Sequence, residues 1–141
     1  MSKILFSFSN RSIDSGLGVI RIITGLLMFY HGLEIFKTET MQNYLTWEVI
    51  KTLPFPEFMV YLGKAIELVT GLFFIFGFLT RISALFMAVN MLFICFYIGS
   101  GKFYYEDQHP FLFAILALVY FFKGPAGFGL DNLISKSDKN E

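Results

Sequence analysis

Residues 17–36 read LGVIRIITGLLMFYHGLEIF, an apolar stretch that Arg21, His31 and Glu34 interrupt. An α-helix needs about 20 predominantly apolar residues to cross a hydrocarbon core roughly 30 Å thick, and this stretch has that length. The polar segment KTET follows directly, where a secretory signal would carry a small-residue cleavage site. The stretch is therefore predicted to remain in the protein as a transmembrane helix.

Three further apolar stretches follow, at about 59–78, 82–98 and 105–123. Proline precedes the first of them and Gly124-Pro125 ends the last, as is typical of helix boundaries. The sequence thus predicts an all-α polytopic membrane protein that folds as a bundle of four transmembrane helices. The chain is predicted to begin with a cytoplasmic or interfacial segment at 1–16. One membrane domain follows at 17–134, and a polar tail at 135–141.

Glycines predict how these helices pack. Gly18, Gly25 and Gly32 recur every seven residues and so share one face of the first helix. Gly63 and Gly71 lie on a similar face of the second helix. In lipid, helices associate where small residues let the backbones approach each other, so these faces are expected to be in contact.

The composition agrees with a membrane location. Hydrophobic residues make up 55% of the chain and charged residues 16%, against roughly 25% in soluble domains. Eleven Lys and Arg balance eleven Asp and Glu, so the chain lacks the basic surface that nucleic-acid binding needs. Cys95 is the only cysteine, which excludes an intrachain disulfide and a Cys-rich metal site. The lipid bilayer is the expected surrounding, and neither a metal nor a nucleic acid is expected to bind.

The orientation is predicted from the positions of Lys and Arg. With four spans, both termini and the 77–81 turn lie on one side, which has six positive charges: Lys3, Arg11, Arg81, Lys123, Lys136 and Lys139. The opposite side has three: Lys37, Lys51 and Lys102. The difference favours cytoplasmic termini in a bacterial inner membrane. Aromatic residues of the 37–58 loop are expected to lie along the outer interface, the alternative being a lid over a ligand.

Five charged or imidazole side chains fall inside the predicted spans: Arg21, His31, Glu34, Lys64 and Glu67. A charged residue at a helix centre costs roughly 2.5 to 3.5 kcal/mol on insertion scales, so such groups face the bundle interior, pair or reach the interface. Arg21 shares a face with Gly18 and Gly25. Arg21, and with it Arg81, is predicted to be a structural intramembrane charge.

The other four form the candidate site. His31 and Glu34 are three residues apart on the first helix, and Lys64 and Glu67 are three apart on the antiparallel second helix, at similar depth. We expect a polar cluster in which Glu67 contacts Lys64 and His31. Its role stays open between a structural network, a polar cavity for a small ligand or headgroup, and a contact with a partner. His109 lies at a helix start, so it is not expected at the height of His31, as a bis-histidine haem would need.

Several short motifs occur in a recognisable order. Residues 20–25 read IRIITG, residues 30–32 read YHG, residues 65–71 read AIELVTG, and residues 77–81 read GFLTR. With Gly124-Pro125 and Leu130-Asp131 they resemble the DoxX family of small four-helix membrane proteins. Thr70 stands where the family usually has glycine, and Lys37 lies one position beyond the family's lysine. The resemblance implies an integral inner-membrane protein related to subunits of thiosulfate:quinone oxidoreductase.

Three functions remain open on the sequence alone. A non-catalytic membrane subunit, or an anchor or assembly module of a larger complex, is favoured. The alternative is a quinone-interacting subunit of a membrane complex for sulfur or thiol oxidation, with the quinone near His31, Glu34, Lys64 and Glu67. The third is small-molecule or lipid binding or transport. The sequence shows no cofactor motif, and a quinone is the one cofactor considered. Catalytic residues stay unknown. Other membrane or periplasmic subunits are the expected partners.

Overall fold

The computed structural model describes residues 9–137, and this part of the chain contains helices and no strand. The helices are α1 (Asn10–Gly32), which a 3-10 turn extends (Leu33–Phe36), α2 (Thr38–Leu45), α3 (Glu48–Lys51), α4 (Pro56–Phe76), α5 (Thr80–Phe93), which a π-helical turn extends (Ile94–Ile98), α6 (Gln108–Lys123) and α7 (Leu130–Ser137). The predicted all-α fold class is confirmed.

Three of the described helices are long and apolar enough to cross a membrane: Asn10–Phe36, Pro56–Phe76 and Thr80–Ile98. Helix α6 is also apolar but has only 16 residues, about 24 Å at 1.5 Å per residue. It begins at Gln108 and not at the predicted position near 105. The side chain of Asp107 accepts hydrogen bonds from the backbone N–H groups of Ser100 and Lys102, at 2.9 and 3.1 Å, and this holds the preceding residues in a turn.

The four long helices alternate in direction, so the bundle has two ends. We call the end with the 77–79 turn and residues 124–137 the terminal face, and the end with residues 33–55 and 99–107 the loop face. Helix α1 begins at the terminal face, well before its predicted start near 17, because Ser9 caps it by accepting a hydrogen bond from the N–H of Ser12. Residues 1–8 of the predicted N-terminal segment and 138–141 of the tail lie outside the described residues.

Helices α1 and α4 approach each other through glycine. A Cβ atom on Gly25 would lie 2.7 Å from the backbone of Ile75, and one on Gly32 or Gly71 would overlap the backbone of the facing helix. Gly18 packs instead against Gly127 and Phe128, which follow α6. At Gly25, Gly32 and Gly71 the glycine faces therefore bring α1 and α4 together. The polar side chains of these two helices lie close to each other as a result.

Apolar side chains form two clusters. The larger one joins α1, α4, α5 and α6, and its largest buried members include Met28, Phe74, Met87 and Tyr120. The smaller one lies at the loop face, where Met41, Ile50 and Leu53 pack beneath α2 and α3 towards Val60. The segment between α1 and α4 is thus folded onto the loop face of the bundle. Its helices α2 and α3 cover part of that face.

Candidate functional site

Arg21 is fully buried near the terminal face. Its guanidinium donates hydrogen bonds to the backbone carbonyls of Pro125, at 2.7 Å, and Phe128, at 3.0 Å. It fills the space beside Gly77, where a Cβ atom would overlap the guanidinium. Arg21 thus ties the segment that follows α6 to the first helix, and its structural role stays a prediction.

Arg81 lies in a different environment from Arg21. It is the second residue of α5, its side chain is exposed, and it lies at the terminal face. The prediction grouped the two arginines as intramembrane charges, but the structure buries only Arg21. The reason is that the 77–79 turn ends directly before α5, so Arg81 is at the end of the bundle.

Asp131 is a structural residue whose role sequence reasoning did not identify. Its carboxylate accepts hydrogen bonds from the N–H groups of Leu79 and Thr80, at 2.8 and 2.9 Å, and so caps the start of α5. Leu79 has a positive φ of 45°, which the cap helps to hold. The one sequence signal for this position was the Leu130-Asp131 pair, which is among the motifs that resemble the DoxX family.

At the loop face, Lys64 lies at the centre of an ion-pair network. Its Nζ is 2.8 Å from Oε2 of Glu34 on the 3-10 turn and 2.9 Å from Oε2 of Glu67 on its own helix. The side chain of Glu67 is 5% exposed, that of Lys64 14% and that of Glu34 22%. Three of the four predicted site residues are therefore in direct contact, with one cation between two carboxylates.

His31, the fourth predicted residue, contacts His109 of α6. The ring centroids are 5.2 Å apart and the rings meet edge to face. No hydrogen bond joins His31 to Glu67 among the described residues, so the expected direct contact of these two is not observed. The expectation that the two histidines differ in height is wrong, because α6 begins at Gln108 and His109 is in its first turn, level with the end of α1.

Tyr44 belongs to the network, although the aromatic residues of the 37–58 loop were expected to lie along the interface, with a lid over a ligand as the alternative. Its hydroxyl donates a 2.7 Å hydrogen bond to Oε2 of Glu34, and its ring lies 5.1 Å from Nζ of Lys64. Burial, followed by this hydrogen bond, raises the pKa of the Tyr44 hydroxyl above its ordinary value near 10. No spacing rule could have found this residue, because its contact depends on α2 folding back over the bundle.

We expect Tyr44→Phe to lower the free energy of unfolding by about 1 kcal/mol at neutral pH, since one hydrogen bond to a charged acceptor is lost. Because folding raises the pKa of this hydroxyl, its contribution is present below pH ~10 and is lost as the pH rises through the folded-state pKa. Urea unfolding in detergent at a series of pH values checks this, with Tyr104→Phe, an exposed tyrosine of the same face, as the control. A difference that persists unchanged at alkaline pH would contradict the assignment.

A cavity of about 460 Å³ lies between α4 and α5, beneath α2 and α3. Most of its lining is apolar and includes Ile50, Leu53, Ile66, Met91 and Ile94. Its polar lining residues are Lys64, Glu67, Asn90, His31, His109, Tyr44 and Trp47. Three residues of the predicted cluster, His31, Lys64 and Glu67, thus lie on one wall of an apolar cavity, and Glu34 contacts this wall through Lys64.

Asn90 of α5 lines the cavity and joins α5 to α4. Its Nδ2 donates a 3.3 Å hydrogen bond to the carbonyl of Gly63 on α4, and its side chain is buried. Among the hydrogen bonds of the described residues, none uses the ring N–H of His31, His109 or Trp47. These N–H groups are therefore available to donate to an acceptor oxygen of a ligand.

The fold and this site define an α-helical membrane protein with a partly buried ion-pair network beside an apolar cavity. Residues 16–100 match the DoxX family, and the chain belongs to that family. The chain is also similar to the "Putative oxidoreductase CatD" of Bacillus subtilis (strain 168), with 28% identity over 132 residues that cover 93% of this chain and 96% of the relative. No solved structure gives a significant match.

Proposed function

We propose that this chain is the membrane component of an oxidoreductase and that its cavity binds the head group of a quinone. The observation that carries the proposal is an apolar cavity with hydrogen-bond donors at one wall. The name of the similar Bacillus subtilis protein, "Putative oxidoreductase CatD", supports the reaction class. This choice places the quinone hypothesis above the purely anchoring role that the sequence favoured, because an anchor has no need of such a cavity.

The residues of the cavity suit a quinone in size and chemistry. Its volume lies within the roughly 300–1,000 Å³ typical of small-molecule sites. A quinone has two carbonyl oxygens that accept hydrogen bonds, and His31, Asn90 and Lys64 are donors on the wall. When bound, a quinone supplies a two-electron, two-proton acceptor in the membrane. The apolar lining lowers the local dielectric around the donors, which strengthens each hydrogen bond that they make.

Within this proposal the ion-pair network has a positioning role. Glu34 and Glu67 hold the ammonium group of Lys64 from two sides, so the cation is fixed before a ligand arrives. Preorganised donors lose little conformational entropy when they bind a ligand. Lys64 would thus present a fixed positive charge and an N–H group to a carbonyl oxygen at the wall of the cavity.

We further propose a bacterial inner membrane, with the terminal face in the cytoplasm and the loop face outside. The distribution of Lys and Arg supports this orientation. The electrons would come from a partner subunit, because a chain with one cysteine cannot form an intrachain dithiol couple. In this arrangement the anchoring and the quinone-binding roles coexist in one protein.

Trp47 is the only tryptophan and lines the cavity, so its fluorescence tests the proposal directly. We expect decylubiquinone to quench Trp47 in the purified protein with a saturable dependence on concentration. The control is the double variant Trp47→Phe with Phe122→Trp, which places the only tryptophan at an exposed position near the terminal face. It should show only the linear quenching of a quinone dissolved in the micelle. Equal quenching of both proteins would contradict the proposal.

A further inference from the structure

Gly63 differs from the glycines that pack α1 on α4, because it has space beside it. A Cβ atom on Gly25 or Gly71 would come closer than 3.0 Å to the facing helix, so those glycines are needed for the packing of α1 on α4. A Cβ atom on Gly63 would meet only Oδ1 of Asn90, at an ordinary contact distance of 3.6 Å. Close helix packing therefore does not explain a glycine at this position.

The space beside Gly63 belongs to the cavity. Gly63 and its neighbours Leu62 and Ile66 line the cavity on α4, and Phe86 and Val89 line it on α5. Three of these side chains are also exposed on the outside of the bundle: Leu62 at 40%, Phe86 at 55% and Val89 at 59%. In a membrane this outer surface faces lipid. The cavity therefore extends from its polar wall to the bilayer through the gap between α4 and α5.

The contacts across this gap are sparse. The hydrogen bond from Asn90 to the Gly63 carbonyl is the one side-chain bond that joins α4 to α5 among the described residues. Helices α1 and α4, by contrast, are in backbone contact at Gly25 and Gly71. Apart from this one hydrogen bond, the side chains of α4 and α5 that line the cavity beside Gly63 are apolar, as a path for a hydrocarbon chain requires.

We infer that the cavity takes a membrane-borne ligand with a long apolar tail, and that Gly63 keeps open the gap between α4 and α5 in which this tail lies. The inference rests on the proposed function and specifies its substrate class. The polar head contacts the wall formed by the ion-pair network, and the tail leaves between the two helices into the lipid. A larger side chain at position 63 would extend past Oδ1 of Asn90 into the path of the tail, while the contacts of Lys64 with Glu34 and Glu67 stay in place.

The test compares two quinones and two variants. Saturable quenching of Trp47 is measured with decylubiquinone and with its head group alone, a dimethoxy-methyl-benzoquinone without the tail. Gly63→Leu places a side chain in the gap. Gly16→Leu is the matched control, since Gly16 is also helical and has no atom within 4 Å of an added Cβ. Thermal unfolding of all proteins confirms that each variant is folded.

We expect Gly63→Leu to weaken decylubiquinone binding by about tenfold or more, the equivalent of roughly two methylene groups that lose their burial. The Kd of the tail-free quinone should stay within about twofold of the wild-type value. This is a change of less than about 0.5 kcal/mol, since a tenfold change in Kd corresponds to about 1.4 kcal/mol. Gly16→Leu should change neither. An equal loss for both quinones, or no loss for either, would overturn the inference and leave the proposed function standing.

A separate outcome bears on the proposed function. If neither quinone quenches Trp47 of the wild type saturably, the proposed function is wrong and the inference is wrong with it. If Gly63→Leu does not fold, the wild type alone still decides, because the inference requires decylubiquinone to bind more tightly than the tail-free quinone. Equal affinities of the two would overturn it.

Discussion

Replacing Arg21 with leucine should lower the free energy of unfolding by about 3 kcal/mol or more, because it removes two charge-assisted hydrogen bonds from a fully buried site. The carbonyls of Pro125 and Phe128 would lose their donor, and the space beside Gly77 would be partly empty. Arg21→Lys should lie between wild type and Arg21→Leu, since an ammonium group has the charge but not the planar fork that reaches both carbonyls.

Arg81→Leu is the matched control for this prediction. It removes the same side-chain type at the same end of the bundle, but Arg81 is exposed, so the expected change is within about 0.5 kcal/mol. The stabilities of Arg21→Leu, Arg21→Lys and Arg81→Leu are measured by thermal and urea unfolding in the same detergent. If Arg21→Leu and Arg81→Leu unfold alike, the buried arginine does not contribute to stability as its contacts indicate.

The fold could be predicted from the sequence to the extent that it depends on local pattern. Apolar length identified the long helices, and glycine spacing identified the surfaces through which α1 and α4 meet, at Gly25, Gly32 and Gly71. Helix ends were predicted less well, because caps set them. Ser9 starts α1 earlier than apolar length indicates, and the turn held by Asp107 starts α6 later. Such caps involve one side chain each and leave little trace in an apolar pattern.

The candidate site could be predicted only in part. Spacing and depth were enough to predict the contact of Glu67 with Lys64 and to put Glu34 at the same depth, since these residues are on the two helices that glycine joins. The contact between Lys64 and Glu34 was not specified by the sequence. Tyr44 and His109 could not be assigned in this way. Tyr44 reaches the site because the apolar residues of α2 and α3 pack on the end of the bundle, and His109 because of where α6 begins. Both depend on tertiary packing between distant segments.

Lys64→Met should have the second large effect on stability. The side chain of Glu67 is 5% exposed, and the variant would leave its carboxylate buried without the cation 2.9 Å away. Removal of one partner from a buried ion pair typically costs 3–5 kcal/mol, so we expect a loss of about 3 kcal/mol. Lys102→Met is the control, because Lys102 pairs with Glu106 at the same face but both side chains are about half exposed. Such a pair contributes roughly 0–1 kcal/mol.

The double variant Lys64→Met with Glu67→Gln tests whether the loss comes from the isolated carboxylate. An amide at position 67 has no charge to leave unpaired, so the double variant should recover more than half of the loss, about 1.5 kcal/mol or more. No recovery would mean that Lys64 stabilises the protein through Glu34 alone.

Glu67→Gln by itself then separates a structural network from a ligand site. Lys64 keeps its contact with Glu34 at 2.8 Å, so the single variant should remain folded and lose about 1 kcal/mol of stability. If the network positions Lys64 for a ligand, the affinity for decylubiquinone, measured by quenching of Trp47, should fall about tenfold, or 1.4 kcal/mol. A variant that loses stability but binds the quinone as the wild type does would show that Glu67 serves the fold and not the ligand.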